Sequence, residues 1–243
     1  MKFLFKISII LIVCAVVLYS QPQVVISEYV NASLPNSEAT ELLITGDNVN
    51  LDGYVLRDNS QDADSWRPGI KFLNIDLWKN LRRGTIIIIN HRDDDTFGTD
   101  DDKSDGFISV PAVEQKYFDH LEAGFSVSSI NSLNLNINRD MMQLLDNNGN
   151  NVHTIGHMGS PSQDFNDIIV GYKLCYRGTI NQSSSVQVYV GANLSDYDGG
   201  FDVSGAKILG DIPATKGFPN KAPGKPEVNH LFWRQLRQPD ANP

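Results

Sequence analysis

Short apolar runs closed off by turn residues recur along almost the whole chain, and they leave room for little except β-structure. They are Val24–Val30, Thr40–Thr45, Gly53–Arg57, Thr85–Asn90, Leu133–Asn138, Met141–Leu145, Val152–Ile155, Ile168–Tyr176 and Ser185–Val190. β-Branched and aromatic residues dominate the runs, and Asn, Asp, Gly and Ser fill the gaps. Asp146-Asn-Asn-Gly149 predicts a tight hairpin, because Asn and Gly tolerate the left-handed backbone that such a turn demands. The only helical stretch is a short one, Val113–Leu121. Many short strands with frequent turns predict an all-β sandwich or barrel. Ile26, Leu43, Tyr54, Leu56, Ile87, Ile89, Leu144 and Val188 are the expected inward side chains. Gly53 marks an expected bend.

The N-terminus carries Lys2 and Lys6, then a nearly unbroken apolar run from Ile7 to Tyr19, then Ser20 and Gln21. That pattern reads as a secretory signal peptide over residues 1–20, cleaved after Ser20. The run falls short of the ~20 apolar residues of a membrane span, so none is expected after cleavage. Cleavage removes two lysines and no acids, leaving 18 basic and 29 acidic residues, net −11. So acidic a chain repels phosphate backbones, and no nucleic-acid partner is expected. Cys175 is the one remaining cysteine, so no internal disulfide can form. A strand-like setting predicts a buried structural thiol there. The fold must then rest on its core alone, which about 220 residues can supply.

The last 31 residues, from Pro213, hold six of the eleven prolines. Proline lacks the donor that a central strand needs. Residues 24–220 are therefore expected to form one β-domain, and 221–243 a Pro-rich linker and apolar tail. That tail, Asn229-His-Leu-Phe-Trp-Arg-Gln-Leu-Arg237, is expected to fold back onto the domain rather than stay exposed.

Several segments, in order, resemble a known family. Val25-Ile-Ser-Glu-Tyr29 is followed by Glu41-Leu-Leu-Ile-Thr-Gly-Asp47 and by Val49-Asn-Leu-Asp-Gly-Tyr-Val-Leu-Arg-Asp58. Leu81-Arg-Arg-Gly84, Met141-Met-Gln-Leu-Leu-Asp-Asn-Asn-Gly149 and Thr215-Lys-Gly-Phe-Pro-Asn220 come later. Together they resemble the lamin tail domain family, as found in secreted bacterial members, with Tyr54 where tryptophan is usual. The resemblance implies an immunoglobulin-like β-sandwich in an extracellular or cell-surface protein. It implies no catalytic residues.

The sharpest chemical feature is the run from His91 to Asp105. Seven aspartates (Asp93, Asp94, Asp95, Asp100, Asp101, Asp102 and Asp105) fall within 13 residues. Their mutual repulsion would be relieved by a hard cation with oxygen ligands, and calcium is the candidate cofactor. The spacing is not that of an EF-hand, and a solvated acidic loop remains the alternative. Asp196-Tyr-Asp-Gly-Gly-Phe-Asp202 reads first as turn chemistry. His91, His120, His153, His157 and His230 are scattered. On a strand, the even spacing of His153 and His157 places both on one face, and no third ligand for a zinc site is identifiable.

The expected function is a secreted or cell-surface, non-catalytic binding or scaffold module that contacts an extracellular protein or glycan. The alternative is a metal-dependent extracellular hydrolase of nuclease or phosphoesterase type, or an accessory domain of one, with the aspartates holding ions that activate water.

Overall fold

The computed structural model describes residues 21–31, 38–59, 65–91, 98–125, 133–182, 184–189, 193–221 and 236. The expected signal peptide and nearly all of the apolar tail lie outside them. Among the described residues no helix is long and apolar enough to cross a membrane. Leu236, from the tail, packs against the main core.

Thirteen strands are formed by the described residues. They are β1 (Val24–Asn31), β2 (Ala39–Ile44), β3 (Val55–Asp58), β4 (Ile70–Phe72), β5 (Ile86–Asn90), β6 (Phe107–Pro111) and β7 (Phe118–His120). β8 (Asp140–Leu145), β9 (Asn151–Met158), β10 (Tyr172–Arg177), β11 (Ser184–Val188), β12 (Gly200–Asp202) and β13 (Ile208–Ile212) follow. One sheet has the order β13-β11-β1-β2-β5-β6, the other β12-β10-β9-β8-β3-β4-β7. The chain passes back and forth between them. β1 and β2 lie in the first sheet, β3 and β4 in the second, β5 and β6 in the first, and β7 to β10 in the second. β11, β12 and β13 then alternate.

This winding makes a mostly-β solenoid of about four turns with little helix, which corrects the expected immunoglobulin-like sandwich. The sandwich implied by the lamin-tail resemblance falls with it. Immunoglobulin-type sheets are antiparallel, whereas here β5 pairs parallel with β6, and β10 pairs parallel with both β9 and β12. Parallel neighbours need a long crossover in place of a hairpin. The acidic segment after β5 is such a crossover, and so is the stretch between β9 and β10.

The second crossover holds a short α-helix, α1 (Gln163–Asp167), opened by Ser162 Oγ accepting from Phe165 N at 3.2 Å. The short helix expected at Val113–Leu121 is absent. Turns run through that segment and end in β7. Tertiary packing decides the matter: the Phe118 ring meets Phe72 edge-on at 5.1 Å, and Trp78 Nε1 donates to Tyr117 O at 3.1 Å. From Phe118 on the chain pairs with β4, and local helix preference is weak by comparison.

Elsewhere the pattern reads true. Asp146–Gly149 forms the tight turn between β8 and β9, with Gly149 at φ 81° and its N–H donating to Asp146 O. Gly53 bends the chain at φ 78°. Ile26, Leu43, Leu56, Ile87, Ile89, Leu144 and Val188 are fully buried in one core between the sheets. Tyr54 is only half-buried. It packs on the core from one side and faces an open groove on the other.

Candidate binding groove

Two adjoining depressions lie at the β8–β9–β10 side of the second sheet. The larger, about 670 Å³, is lined by Gln21, Gln23, Tyr54, Asn150, Tyr172 and Asp198, among others. The smaller, about 360 Å³, is lined by Arg57, Trp66, Gln143, Asp164 and Asp167. Asn151, Ile169 and Val170 line both, so the two form one elongated groove. The larger lobe alone falls in the ~300–1,000 Å³ range of small-molecule sites.

Asn151, at the start of β9, organises this groove. Its Nδ2 donates to Val170 O at 3.0 Å and to Tyr172 O at 3.1 Å. Its Oδ1 accepts from Gln143 Nε2 at 3.0 Å and from Thr154 Oγ1 at 2.7 Å. Gln143 in turn accepts from Arg57 Nε at 2.8 Å, and the Arg57 guanidinium sits 5.0 Å from the centre of the Trp66 ring. Gly171 completes the arrangement at φ 75°, where a Cβ would run into the carbonyl oxygen of Asn151. Floor and rim are thus bound into one network, while Ile169 remains 87% exposed above it.

The groove is mixed in polarity and net acidic. Asp146, Asp164, Asp167 and Asp198 face one cation, Arg57. Burial works to raise the Asp146 pKa, but bonds from Asn150 and Asn148 outweigh it and hold the carboxyl below the usual range. A carboxyl held ionised in this way is a poor proton donor.

Other polar groups are buried away from the groove. Glu28 and Glu41 are both fully buried. Glu28 accepts from Thr215 N and Thr215 Oγ1, each at 2.9 Å, and Glu41 accepts from Ser27 Oγ at 2.6 Å and Gly217 N at 2.8 Å. Asn220 Nδ2 donates to Ser27 O at 2.8 Å and closes the same strap. His153 Nδ1 accepts from Ile26 N at 2.9 Å, and Tyr29 Oη lies 2.5 Å from His157 Nδ1. Both histidines therefore sit on the core face of β9, and burial pushes their pKa values down to about 3 and about 4. Asp140 lies opposite His157 across β8 and β9, with Asp58 nearby on β3, and burial raises both acids. Tyr29, His157, Asp140 and Asp58 are all buried.

The acidic crossover divides in two. Asp93, Asp94 and Asp95 lie outside the described residues. Asp100, Asp102 and Asp105 each accept from the backbone N–H two positions on, at 3.1, 2.9 and 2.8 Å. Asp101 accepts from Tyr117 Oη at 2.7 Å and pairs with Lys116 at 3.5 Å. Asp100 also bridges to Ser109 of β6 through paired backbone bonds. Asp100, Asp102 and Asp105 thus cap turns, while Asp101 is tied to Lys116 and Tyr117. Among the described residues no three His, Cys, Asp or Glu side chains are arranged to hold a metal ion. Asp202 is likewise a cap, accepting from Ser204 N at 3.0 Å and Lys207 N at 2.8 Å. Cys175 is buried beside Met141, Met158 and Phe165, and burial pushes its thiol pKa up.

Sequence reasoning missed the groove. Tyr54, Trp66, Asn151 and Tyr172 are far apart in the chain, and only the parallel placement of β10 beside β9 brings Tyr172 to Asn151. Comparison with models of protein families, with curated proteins and with solved structures finds no match to this chain.

Proposed function

We propose that this chain is a non-catalytic binding module acting outside the cell, and that the elongated groove is its binding site. The observation that carries the reading is the Asn151 network. It holds the floor and rim of the groove in one fixed shape while Tyr54, Tyr172 and Ile169 stay accessible. A site set before the ligand arrives avoids the ordering cost of binding.

The groove's chemistry favours holding over reacting. Among the described residues, its lining has no His, Cys, Ser, Thr or Lys to act as nucleophile or neutral-pH base. The turn bonds to Asp146 oppose the raised pKa that a general acid needs. The buried Tyr29–His157–Asp140 cluster spans the core, where a substrate would have to displace packed side chains. The export signal read at residues 1–20 supplies the compartment.

The test is retention of the labelled full-length protein on intact producing cells and on their extracellular material, compared with Ile169→Asp. Ile169 is 87% exposed, so the fold should survive the change. Retention that falls several-fold in the variant at equal melting temperature supports the reading. Equal retention of the two proteins, or turnover of ester, phosphodiester or glycoside substrates by the native chain, contradicts it.

A further inference from the structure

We propose that the groove takes an uncharged, hydroxyl-rich glycan chain, a reading that rests on the groove being the binding site. Three features of the lining select this class. The first is aromatic. Half-buried Tyr54 and Tyr172 lie in the larger lobe, while Trp66, in the smaller, already has Arg57 over its ring and borders the groove without offering that face. Aromatic faces carry negative charge density, which attracts the electropositive C–H groups on the face of a sugar ring.

The second is the set of planar amides. Gln21, Gln23, Gln143, Asn150 and Asn151 line the groove. An amide presents donor and acceptor side by side, which matches neighbouring hydroxyls that both give and accept. Asn151 has both amide hydrogens and both oxygen lone pairs engaged internally and so serves as a fixed frame, while Gln143, held by Asn151 and Arg57, keeps one donor and one acceptor position in set directions.

The third is charge. Four carboxylates against one guanidinium, itself engaged by Gln143 and Trp66, repel uronates, sulfated chains and nucleic acids. The same carboxylates accept hydroxyl donors strongly. A peptide added as an extra strand is disfavoured here, because β9 is already paired on both sides, with β8 and with β10. Among the described residues the groove offers a side-chain surface, with β9 presenting no free edge for β-augmentation.

The experiment is native affinity electrophoresis of the full-length protein in gels containing xyloglucan, galactomannan, arabinoxylan or mixed-linkage β-glucan. Alginate and polygalacturonate gels run alongside. At least one neutral polymer should retard the protein and neither anionic polymer should. Tyr172→Ala and Ile169→Asp should each weaken that retardation about tenfold or more, the change that about 1.4 kcal/mol produces, with melting temperature unchanged for Ile169→Asp. Failure of all four neutral polymers, stronger retardation by an anionic one, or full retardation of both variants overturns the proposal. Cell retention that still depends on Ile169 would then leave the groove as a binding site for a different ligand.

Discussion

Glu28 and Glu41 stand directly opposite each other across β1 and β2, both fully buried, with the strap from Thr215 to Asn220 closed over them. Burial raises Glu28 to about 7, and burial together with the charge of Glu28 raises Glu41 to about 8. Lys216 works against the rise at Glu41. Unfolded, both would titrate near 4.5. The folded chain therefore binds more protons than the unfolded one between those limits, and stability falls as pH rises through them. Burial also raises Asp58, to about 7, and Asp140, which act in the same direction.

His153 and His157 act in the opposite sense. Their lowered pKa values contribute stability above the ordinary value of 6.5, and it is lost as pH falls toward about 4 and about 3. Above pH 6.5 only the acids remain in play. Calorimetry should show the melting temperature falling from pH 6.5 to pH 8.5, and Glu41→Gln should flatten that fall and melt higher than the native chain at pH 8.5. A melting temperature that rises over this window contradicts the buried pair.

Tyr29 bridges the two sheets by its hydroxyl contact with His157 at 2.5 Å. Tyr29→Phe removes the partner of a buried ring nitrogen and keeps the packing volume. The expected loss is about 1–3 kcal/mol of unfolding free energy. Urea denaturation measures it, and a neutral substitution would show that the bond contributes nothing.

Asn151→Ala should detach the rim loop from β9, since Val170 O and Tyr172 O both lose their donor. About 1–3 kcal/mol of stability should go with it. Gly171→Ala should be destabilising for a separate reason, the positive φ and the collision with Asn151 O. In both variants hydrogen exchange over residues 168–172 should quicken more than exchange in β5, far from the groove.

Asp100, Asp102 and Asp105 cap turns by accepting backbone N–H bonds. Alanine at Asp102 should cost about 0.5–2 kcal/mol, the usual value of a lost cap, equally with and without millimolar calcium. A loss that appears only when calcium is present would show that the carboxylate ligates an ion.

Much of the strand pattern is legible in the sequence, because buried β-branched runs and turn residues announce themselves locally. Ile86–Asn90 and the Asp146–Gly149 turn are plain examples. The winding is not legible. Whether β6 lies parallel or antiparallel to β5 depends on the path of residues 91–106, and an acidic crossover has the composition of an ordinary end loop. The strap shows the same limit. Glu28, Glu41 and the Thr215–Asn220 segment each stand out in the sequence, but their meeting through buried carboxyl bonds is a tertiary fact. The groove is the least visible part, since Tyr54 reads as a core residue and Asn151 as turn punctuation.

The most direct test of the glycan-binding groove is hydrogen–deuterium exchange on the full-length protein with and without the neutral polysaccharide that retards it most. Slowed exchange should be confined to residues 146–152 and 168–172, with the acidic crossover at 98–106 unchanged. Protection centred on that crossover, or no protection at the groove under conditions of saturated binding, would contradict it.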